Sequence, residues 1–317
     1  ECQEYFYQMG LEGHSKAFVS NLPEELTLTH WITDHSINFL QQQAAAEKPF
    51  FLSMGYFDPH HAWNPCEPYA SEWAFREVSP PKRDDNDLPS KPRHWGGEFL
   101  REPFELSAII RSYHAMIEQI DANVGRLLDA LEASGQLENT VIVFSSDHGE
   151  FLGNHGKLFK GPYLCDDLLK VPLIVWDGAR RKGGQTIDSM SSALDFFPTL
   201  ASLAGIEAPS CSGRRFLDTD LNINPDGERE HVISEWRMQP FDEGSGGNIL
   251  SIRTRNERYV RYANTGEEEY YRHSGDPYEL NNLSRDPATT SRRSALAKIL
   301  ETAAPHPGDW PAPIGPW

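Results

Sequence analysis

The chain has 317 residues, of which 38% are hydrophobic and 24% charged, an ordinary composition for one large globular domain or two unequal ones. Its net charge of -18 argues against nucleic acid or an anionic membrane surface as a partner. No run of residues approaches the roughly 18 apolar positions that a membrane span needs.

The four cysteines, Cys2, Cys66, Cys165 and Cys211, are widely spaced and form no CxxC pair, so the spacing of a zinc site is absent. They could form two disulfides or remain as four buried thiols. We favour thiols, because four cysteines are common in a chain of this size. The chain begins at Glu1 without an initiator methionine or a signal-like apolar run, so we expect a processed product or a piece of a longer protein. The compartment (periplasmic, secreted or cytoplasmic) stays open.

The first half of the chain alternates helical and extended patterns. Apolar residues at helical spacing predict a helix from Leu26 to Gln43, and the aromatic-rich run from Phe50 to Phe57 predicts a buried strand. A loop over 76–104, rich in proline, glycine and charge, is expected to be functional or disordered. Steps of three and four between apolar residues from Leu106 to Leu131 then predict one long amphipathic helix.

The run from Val141 to Phe144 predicts a strand buried on both faces, and Asp147 and His148 follow at its carboxyl end. Open α/β sheets bind their ligands at this edge. A glycine-rich loop leads from there to Lys160, the cation that an anionic ligand beside a metal would need. The next pair of carboxylates, Asp166 and Asp167, is predicted to cap a turn or to be solvated.

Later segments predict a third strand over Val171–Trp176 and a short helix over 194–205. From residue 231 onward, short alternating runs predict an antiparallel sheet, closed by a helix over 291–303. The predicted fold class is therefore α/β, with a mixed sheet flanked by helices over residues 1–225. A small C-terminal α+β subdomain with an antiparallel sheet is predicted over residues 226–317.

Seven segments taken in order carry a resemblance to a known family: Lys48-Pro-Phe-Phe-Leu with Asp58-Pro-His60-His61, Tyr113-His-Ala-Met-Ile-Glu-Gln-Ile-Asp121 with Val124-Gly-Arg, Ser146-Asp147-His148-Gly-Glu, Lys160-Gly-Pro, Val171-Pro-Leu-Ile-Val, Asp195-Phe-Phe-Pro-Thr-Leu, and Asp276-Pro-Tyr-Glu-Leu. Together they resemble the sulfatase family of the alkaline phosphatase superfamily, including its arylsulfatase and phosphonate monoester hydrolase branches. The resemblance implies an alkaline-phosphatase-like fold whose N-terminal part is missing here. It runs from the middle of the family's catalytic domain to its end.

The resemblance also implies a metal site and its ligands. Asp147 and His148 match two ligands of the family's divalent cation. Ca²⁺ is the expected ion, and a histidine ligand leaves Mn²⁺ open. Because Ca²⁺ takes roughly six to eight oxygen ligands, two residues are too few to hold it alone.

Two further residues match the family's substrate pocket. His60, which directly follows the proline of its motif, matches a histidine that bonds the sulfate or leaving-group oxygen and serves as a general acid. Lys160 matches the lysine that binds the sulfate group, and Lys157 is a weaker candidate for that role. His155 is a candidate substrate-binding residue of the same loop, at even odds with a structural role.

The sequence departs from the family pattern at the nucleophile. Family members carry a cysteine or serine, in a context such as C-x-P-S-R, that is oxidised to formylglycine, and two adjacent metal-binding aspartates near their start. None of the four cysteines here has that context. We therefore expect formylglycine and the remaining metal ligands in a missing N-terminal segment, which would dock on this chain as its partner.

The function that follows is a sulfuric ester hydrolase: a metal-dependent sulfatase acting on a small sulfate ester, of an aryl compound or a carbohydrate. Hydrolysis of phosphonate monoesters or phosphodiesters on the same scaffold is the first alternative. The second is a catalytically incomplete fragment that acts only with a partner segment, and we expect the isolated chain to be inactive.

Overall fold

The computed structural model describes residues 17–46, 48–96, 103–178, 184–218, 222, 224–237 and 248–303, with backbone alone at 103–105. Its helices are α1 (Leu28–Ala46), α2 (Tyr69–Trp73), α3 (Asp87–Ser90), α4 (Pro103–Ala133), α5 (Asp166–Leu169), α6 (Phe196–Leu203) and α7 (Thr290–Ala303). Its strands are β1 (Val141–Ser145), β2 (Leu173–Asp177), β3 (His231–Trp236), β4 (Ile249–Thr254), β5 (Glu257–Tyr262) and β6 (Glu268–Arg272). None of the described helices is long and apolar enough to cross a membrane.

The two longest described helices, α1 and α4, lie where the apolar spacing predicted helices, and they pack against each other. Leu40 of α1 meets Leu127 and Leu131 of α4 in a buried cluster. Burying each of these side chains contributes about 1.5–3 kcal/mol. This helix pair is the platform on which the segments leading to the site rest.

The prediction of a strand from Phe50 to Phe57 is wrong for the described structure. The residues of this segment alternate between half-buried and exposed, but they form no strand ladder within the described part of the chain. Phe50 and Leu52 pack on the α1–α4 cluster, whereas Phe51 is 75% exposed. Composition predicts an extended backbone with an apolar face, but a strand also needs a hydrogen-bonded neighbour.

The prediction that β1 is buried on both faces is also wrong for this chain. β1 pairs antiparallel with β2, with Val143 opposite Val175. Phe144 of β1 is 38% exposed and Ile174 of β2 is 59% exposed, so this two-stranded unit presents apolar surface to solvent. An apolar strand composition indicates that another segment buries the strand, but it does not identify that segment.

The C-terminal prediction is confirmed. Strands β3, β4, β5 and β6 form an antiparallel sheet in sequence order, and α7 packs on it. Ile252, Tyr259 and Tyr270 of the sheet bury their side chains against Leu296 and Leu300 of α7. The proposed division of the chain near residue 225 stays a prediction.

Buried ion pairs connect this sheet to α5. Arg258 of β5 is buried, and its Nε donates to Glu279 Oε1 at 2.6 Å while its Nη2 pairs with Asp166. Arg253 of β4 adds a second bond to Asp166, at 2.9 Å. Burial alone would raise the pKa of Glu279, but Arg258 and His273 outweigh it and lower that pKa. The pair therefore stabilises the fold above pH 4.5, the ordinary pKa of glutamate, and this stabilisation is lost as pH falls.

The cysteines partly follow the prediction of buried thiols. Cys66 and Cys165 are free and buried, whereas Cys211 is free and exposed, which corrects the prediction at that position. Burial raises the pKa of Cys66 to about 12 and that of Cys165 well above its usual value, so both stay protonated at neutral pH. Cys2 lies outside the described residues.

We predict that Arg258→Ala lowers the free energy of unfolding by about 3–5 kcal/mol, because Glu279 and Asp166 would lose the cation they share. Arg261→Ala on the same strand is the matched control. Its ion pair with Glu301 is exposed, so a loss of about 0–1 kcal/mol is expected. Urea unfolding of the two variants measures both values, and equal losses would contradict the account.

Candidate active site

The metal-ligand candidates lie at the carboxyl end of β1, as predicted. The Asp147 side chain is 84% exposed, and His148 Nε2 lies 3.6 Å from Asp147 Oδ2. His148 Nδ1 lies 2.8 Å from the Gly149 carbonyl oxygen and, as a donor to it, fixes the tautomer with Nε2 free to coordinate. One carboxylate and one oriented imidazole therefore face the same open space, which fits part of a divalent-cation shell.

The loop over 149–160 holds an unusual backbone. A Cβ at Gly149 would overlap the carbonyl oxygen of Asp167, so only glycine fits there. Three non-glycine residues, Leu152, His155 and Phe159, adopt positive φ angles of 45°, 54° and 68°. Each costs about 1–3 kcal/mol and persists only where surrounding contacts determine it. The loop is thus held in place from outside, and it ends at the exposed Lys160.

The His60 segment packs onto the end of this loop. The His60 imidazole stacks on His61 with ring centroids 4.0 Å apart, and Phe159 meets His61 at 4.5 Å and Trp63 at 5.5 Å. His60 Nδ1 lies 2.7 Å from the His61 carbonyl oxygen, which orients the ring and leaves Nε2 for another partner. Two segments a hundred residues apart in the sequence are thereby brought together.

The electrostatics of His60 bring the four predicted residues into one cluster. Burial lowers the pKa of its imidazole, and the His61 carbonyl opposes that effect. Lys160 and His148 lower the pKa further, while Asp147 raises it. His60, Asp147, His148 and Lys160 are therefore electrostatic neighbours, although they come from three separate segments.

His155 lies in a different setting. It is 1% exposed, and its ring nitrogens contact two carboxylates, Asp87 Oδ2 at 2.7 Å and Asp167 Oδ2 at 3.1 Å. Burial would lower its pKa, but the two carboxylates outweigh burial and raise it. With both nitrogens engaged, His155 supports the loop in this structure, and its predicted contact with substrate stays a prediction. Lys157 is buried and donates to the Trp95 carbonyl, which leaves Lys160 as the exposed lysine of the loop.

Glu150 was missed from the sequence. Burial raises the pKa of its carboxyl group to about 7, against the opposing effect of backbone N–H groups of Leu152, Phe159 and Phe151 and of Lys160. The available signal was a carboxylate placed directly between the metal-ligand pair and the apolar Phe151-Leu152. The raised pKa becomes evident only in the structure, where the folded loop buries the Glu150 carboxyl group.

A second group of potential ligands, Asp166, His273 and Glu279, has ligand atoms within 4.8 Å of one another. Arg258 and Arg253 already bind its carboxylates, so two guanidinium charges occupy the place of a cation. We therefore assign this group to the ion-pair network. It also corrects the prediction that Asp166 and Asp167 form a capping or solvated pair.

A cavity of about 360 Å³ lies beside the loop, lined by residues of 83–96 together with His155 and Gly156. His60, Asp147, His148 and Lys160 are absent from its described lining. The cavity and the His60 cluster are therefore separate places in the described structure, and the catalytic role of the cluster stays a prediction.

The cluster makes a testable prediction for the pKa of His60. Lys160→Gln should raise it, because a positive charge that disfavours the imidazolium is removed. Asp147→Asn should lower it, because a negative charge that favours the imidazolium is removed. NMR titration of the His60 ring measures both shifts, and Lys298→Gln on α7 is the control. Shifts of one sign in both variants would rule out this arrangement.

Comparison with known proteins agrees with the family resemblance of the sequence. The family model described as "Sulfatase" matches residues 3–206. A second model, described as "N-sulphoglucosamine sulphohydrolase, C-terminal", matches residues 153–305. The first match alone covers more than half of the chain.

Individual relatives and structures give the same answer. The chain is 29% identical over 304 residues to "Uncharacterized sulfatase YidJ" of Escherichia coli, covering 93% of this chain and 59% of that protein. It is 29% identical over 286 residues to an arylsulfatase of Clostridium perfringens, covering 87% and 58%. The phosphonate monoester hydrolase of Agrobacterium radiobacter superposes with a TM-score of 0.76 at 26% identity, covering 92% of this chain and 63% of that one.

Two conclusions follow from these matches. The chain spans about three-fifths of the length of the curated relatives that it matches. The structural match confirms the predicted α/β fold of the alkaline phosphatase type. The chain belongs to the sulfatase family.

Proposed function

We propose that the protein containing this chain hydrolyses sulfate esters. The observation that carries the proposal is the electrostatic grouping of His60, Asp147, His148 and Lys160. A sulfate ester carries negative charge on its non-bridging oxygens, and its cleavage moves further charge onto the leaving oxygen. In the cluster, Lys160 is a cation that can bind the non-bridging oxygens, and His60 is a proton donor for the leaving oxygen.

Each side chain has a definite task in this proposal. Lys160 is exposed and binds the sulfate oxygens as a point charge. His60, oriented through Nδ1, gives a proton from Nε2 to the departing alkoxide. Because burial and the neighbouring cations lower the pKa of His60, its proton is easily released. A bound anionic substrate would raise that pKa again and keep the acid form available.

Asp147 and His148 would hold a divalent cation. The exposed carboxylate and the oriented Nε2 fit such an ion, with Ca²⁺ as our first choice and Mn²⁺ as the second. When bound, the ion supplies positive charge beside the sulfate oxygens. The two residues are fewer than its coordination number, so further ligands from outside this chain belong to the proposal.

We assign the nucleophile to sequence outside these 317 residues and expect it to be formylglycine. The described cysteines do not suit that role. Cys66 and Cys165 are buried with raised pKa values, and no cysteine of the chain lies in a C-x-P-S-R context. The isolated chain should accordingly be inactive.

The exposed apolar surface of the β1–β2 unit and of Phe51 supports a partner segment from the same protein. Phe51, Phe144 and Ile174 are 75%, 38% and 59% exposed, so each presents apolar surface that a neighbouring segment could cover. The relatives are longer than this chain, which supplies a candidate for the cover. We propose that the additional polypeptide of the complete protein packs on this surface.

Phosphonate monoester or phosphodiester hydrolysis is the second candidate, favoured by the structural match to a phosphonate monoester hydrolase. The same cluster serves both reactions, because each substrate presents anionic oxygens and an ester leaving group. Among sulfate esters, the match to the model described for N-sulphoglucosamine sulphohydrolase favours a carbohydrate substrate beside the aryl esters.

We predict that Lys160→Ala in the full-length protein lowers kcat/KM for 4-nitrophenyl sulfate by about 10²–10³-fold, the loss typical of one group that stabilises transition-state charge. Lys170→Ala, which removes an exposed lysine at the end of α5, is the matched control and should keep wild-type activity. A parallel assay with 4-nitrophenyl phenylphosphonate separates the two candidate reactions. Wild-type turnover of both esters by Lys160→Ala would refute the proposed role.

A further inference from the structure

One side chain fastens the loop that carries Lys160. Asp167 Oδ1 accepts a hydrogen bond from Asn154 Nδ2 at 2.6 Å, and Asp167 Oδ2 accepts one from His155 Nε2 at 3.1 Å. Two consecutive loop residues are therefore bound by the two oxygens of a single carboxylate. His155 is among the residues with positive φ, so these bonds act where the backbone conformation is least favourable.

The backbone beside Asp167 fastens the metal-ligand end of the same loop. Gly149 N–H donates to the Leu168 carbonyl oxygen at 2.8 Å, and the missing Cβ of Gly149 lets the two backbones touch. The Gly149 carbonyl oxygen in turn receives the bond that orients the His148 ring. The short helix α5 thus contacts both the segment that holds Asp147 and His148 and the segment that leads to Lys160.

The loop is also held by Lys82 and by Asp87, the first residue of α3. Lys82 N–H donates to Asn154 Oδ1 at 2.7 Å, and His155 N–H donates to the Lys82 carbonyl oxygen at 3.0 Å. Asp87 contacts His155 Nδ1 at 2.7 Å. With Asn154 and His155 bound from both sides, the loop has little freedom to shift relative to α5.

We propose that Asp167 is a positioning residue that sets the separation between Lys160 and the Asp147–His148 pair. This separation would place a cation and a metal ion on either side of one anion. That part of the inference rests on the proposed function. Both carboxylate oxygens of Asp167 bond residues of the loop, so in this proposal Asp167 acts through the loop and not on the substrate.

Asp166 provides a control at the adjacent position. It bonds Arg253 and Arg258 of the C-terminal sheet, and within the described part of the chain its side-chain partners include no residue of the 149–160 loop. Asp166→Asn should therefore lower global stability and leave the loop in place. Asp167→Asn should loosen the loop, because a neutral amide binds His155 more weakly and offers one acceptor where the carboxylate offers two.

The test is amide hydrogen exchange by NMR on the full-length protein, well below the unfolding temperature of every variant. Gly153 N–H and Lys157 N–H, which donate to loop carbonyls at 2.8 and 2.9 Å, report the loop. Ile252 and Tyr259, paired in the β4–β5 ladder, report global opening and serve as the reference. In Asp167→Asn, exchange of the loop amides relative to this reference should be about tenfold to hundredfold faster.

A second readout is the dissociation constant for Ca²⁺ by calorimetry, which should rise about tenfold in Asp167→Asn and stay unchanged in Asp166→Asn. His155→Gln is the alternative variant if Asp167→Asn does not fold, with the same expected results. Equal loop exchange in wild type and variant, or equal acceleration in Asp166→Asn, overturns the inference. If the loop loosens selectively but the wild type cleaves neither sulfate nor phosphonate esters, positioning stands and the proposed function fails.

Discussion

Two neighbouring carboxylates at the start of α5 face in different directions, and much of the described structure depends on them. Asp166 pairs with Arg253 and Arg258, which ties α5 to the C-terminal sheet. Asp167 bonds Asn154 and His155, which ties α5 to the loop after β1. A helix of four residues has little stability of its own, so these charged bonds and its buried Leu168 keep it in place. The helix α5 therefore contacts two parts of the chain through different side chains: the C-terminal sheet through Asp166 and the loop after β1 through Asp167.

The negative charge of the chain explains why an anionic ligand would need the positively charged groups around His60. At a net charge of -18, the protein as a whole repels anions, so an anionic ligand needs a local concentration of positive charge. His60, His148 and Lys160 provide cationic or potentially cationic groups close to one another, and the Asp147 carboxylate opposes them. The lowered pKa of His60 is the direct consequence of burial and of this crowding. In our proposal, the same repulsion is relieved when the substrate anion binds.

The sequence predicted the elements whose signal is local. The α4 helix and the C-terminal antiparallel sheet follow from spacings of three to four and of two residues, which depend on neighbouring side chains alone. It also placed His60, Asp147, His148 and Lys160 at segment ends, through a resemblance and a strand-end rule. The sequence did not predict features that depend on contacts with residues far along the chain.

The ladder expected for Phe50 to Phe57 needs a neighbouring strand, and the roles of Asp166, Asp167 and His155 are set by residues 12 to 92 positions away. The raised pKa of Glu150 arises from burial inside a folded loop, which no pattern of residue types records.

The most direct test of the central claim is to locate the divalent cation in a crystal structure of the full-length protein grown with Mn²⁺, using anomalous scattering. We expect the ion at Asp147 and His148 Nε2, with Lys160 Nζ and His60 Nε2 facing the same space. An ion bound instead by Asp166, His273 and Glu279 would contradict it, because that group is assigned here to the arginine network. The same map shows whether Asp167 still bonds Asn154 and His155 when the metal is present.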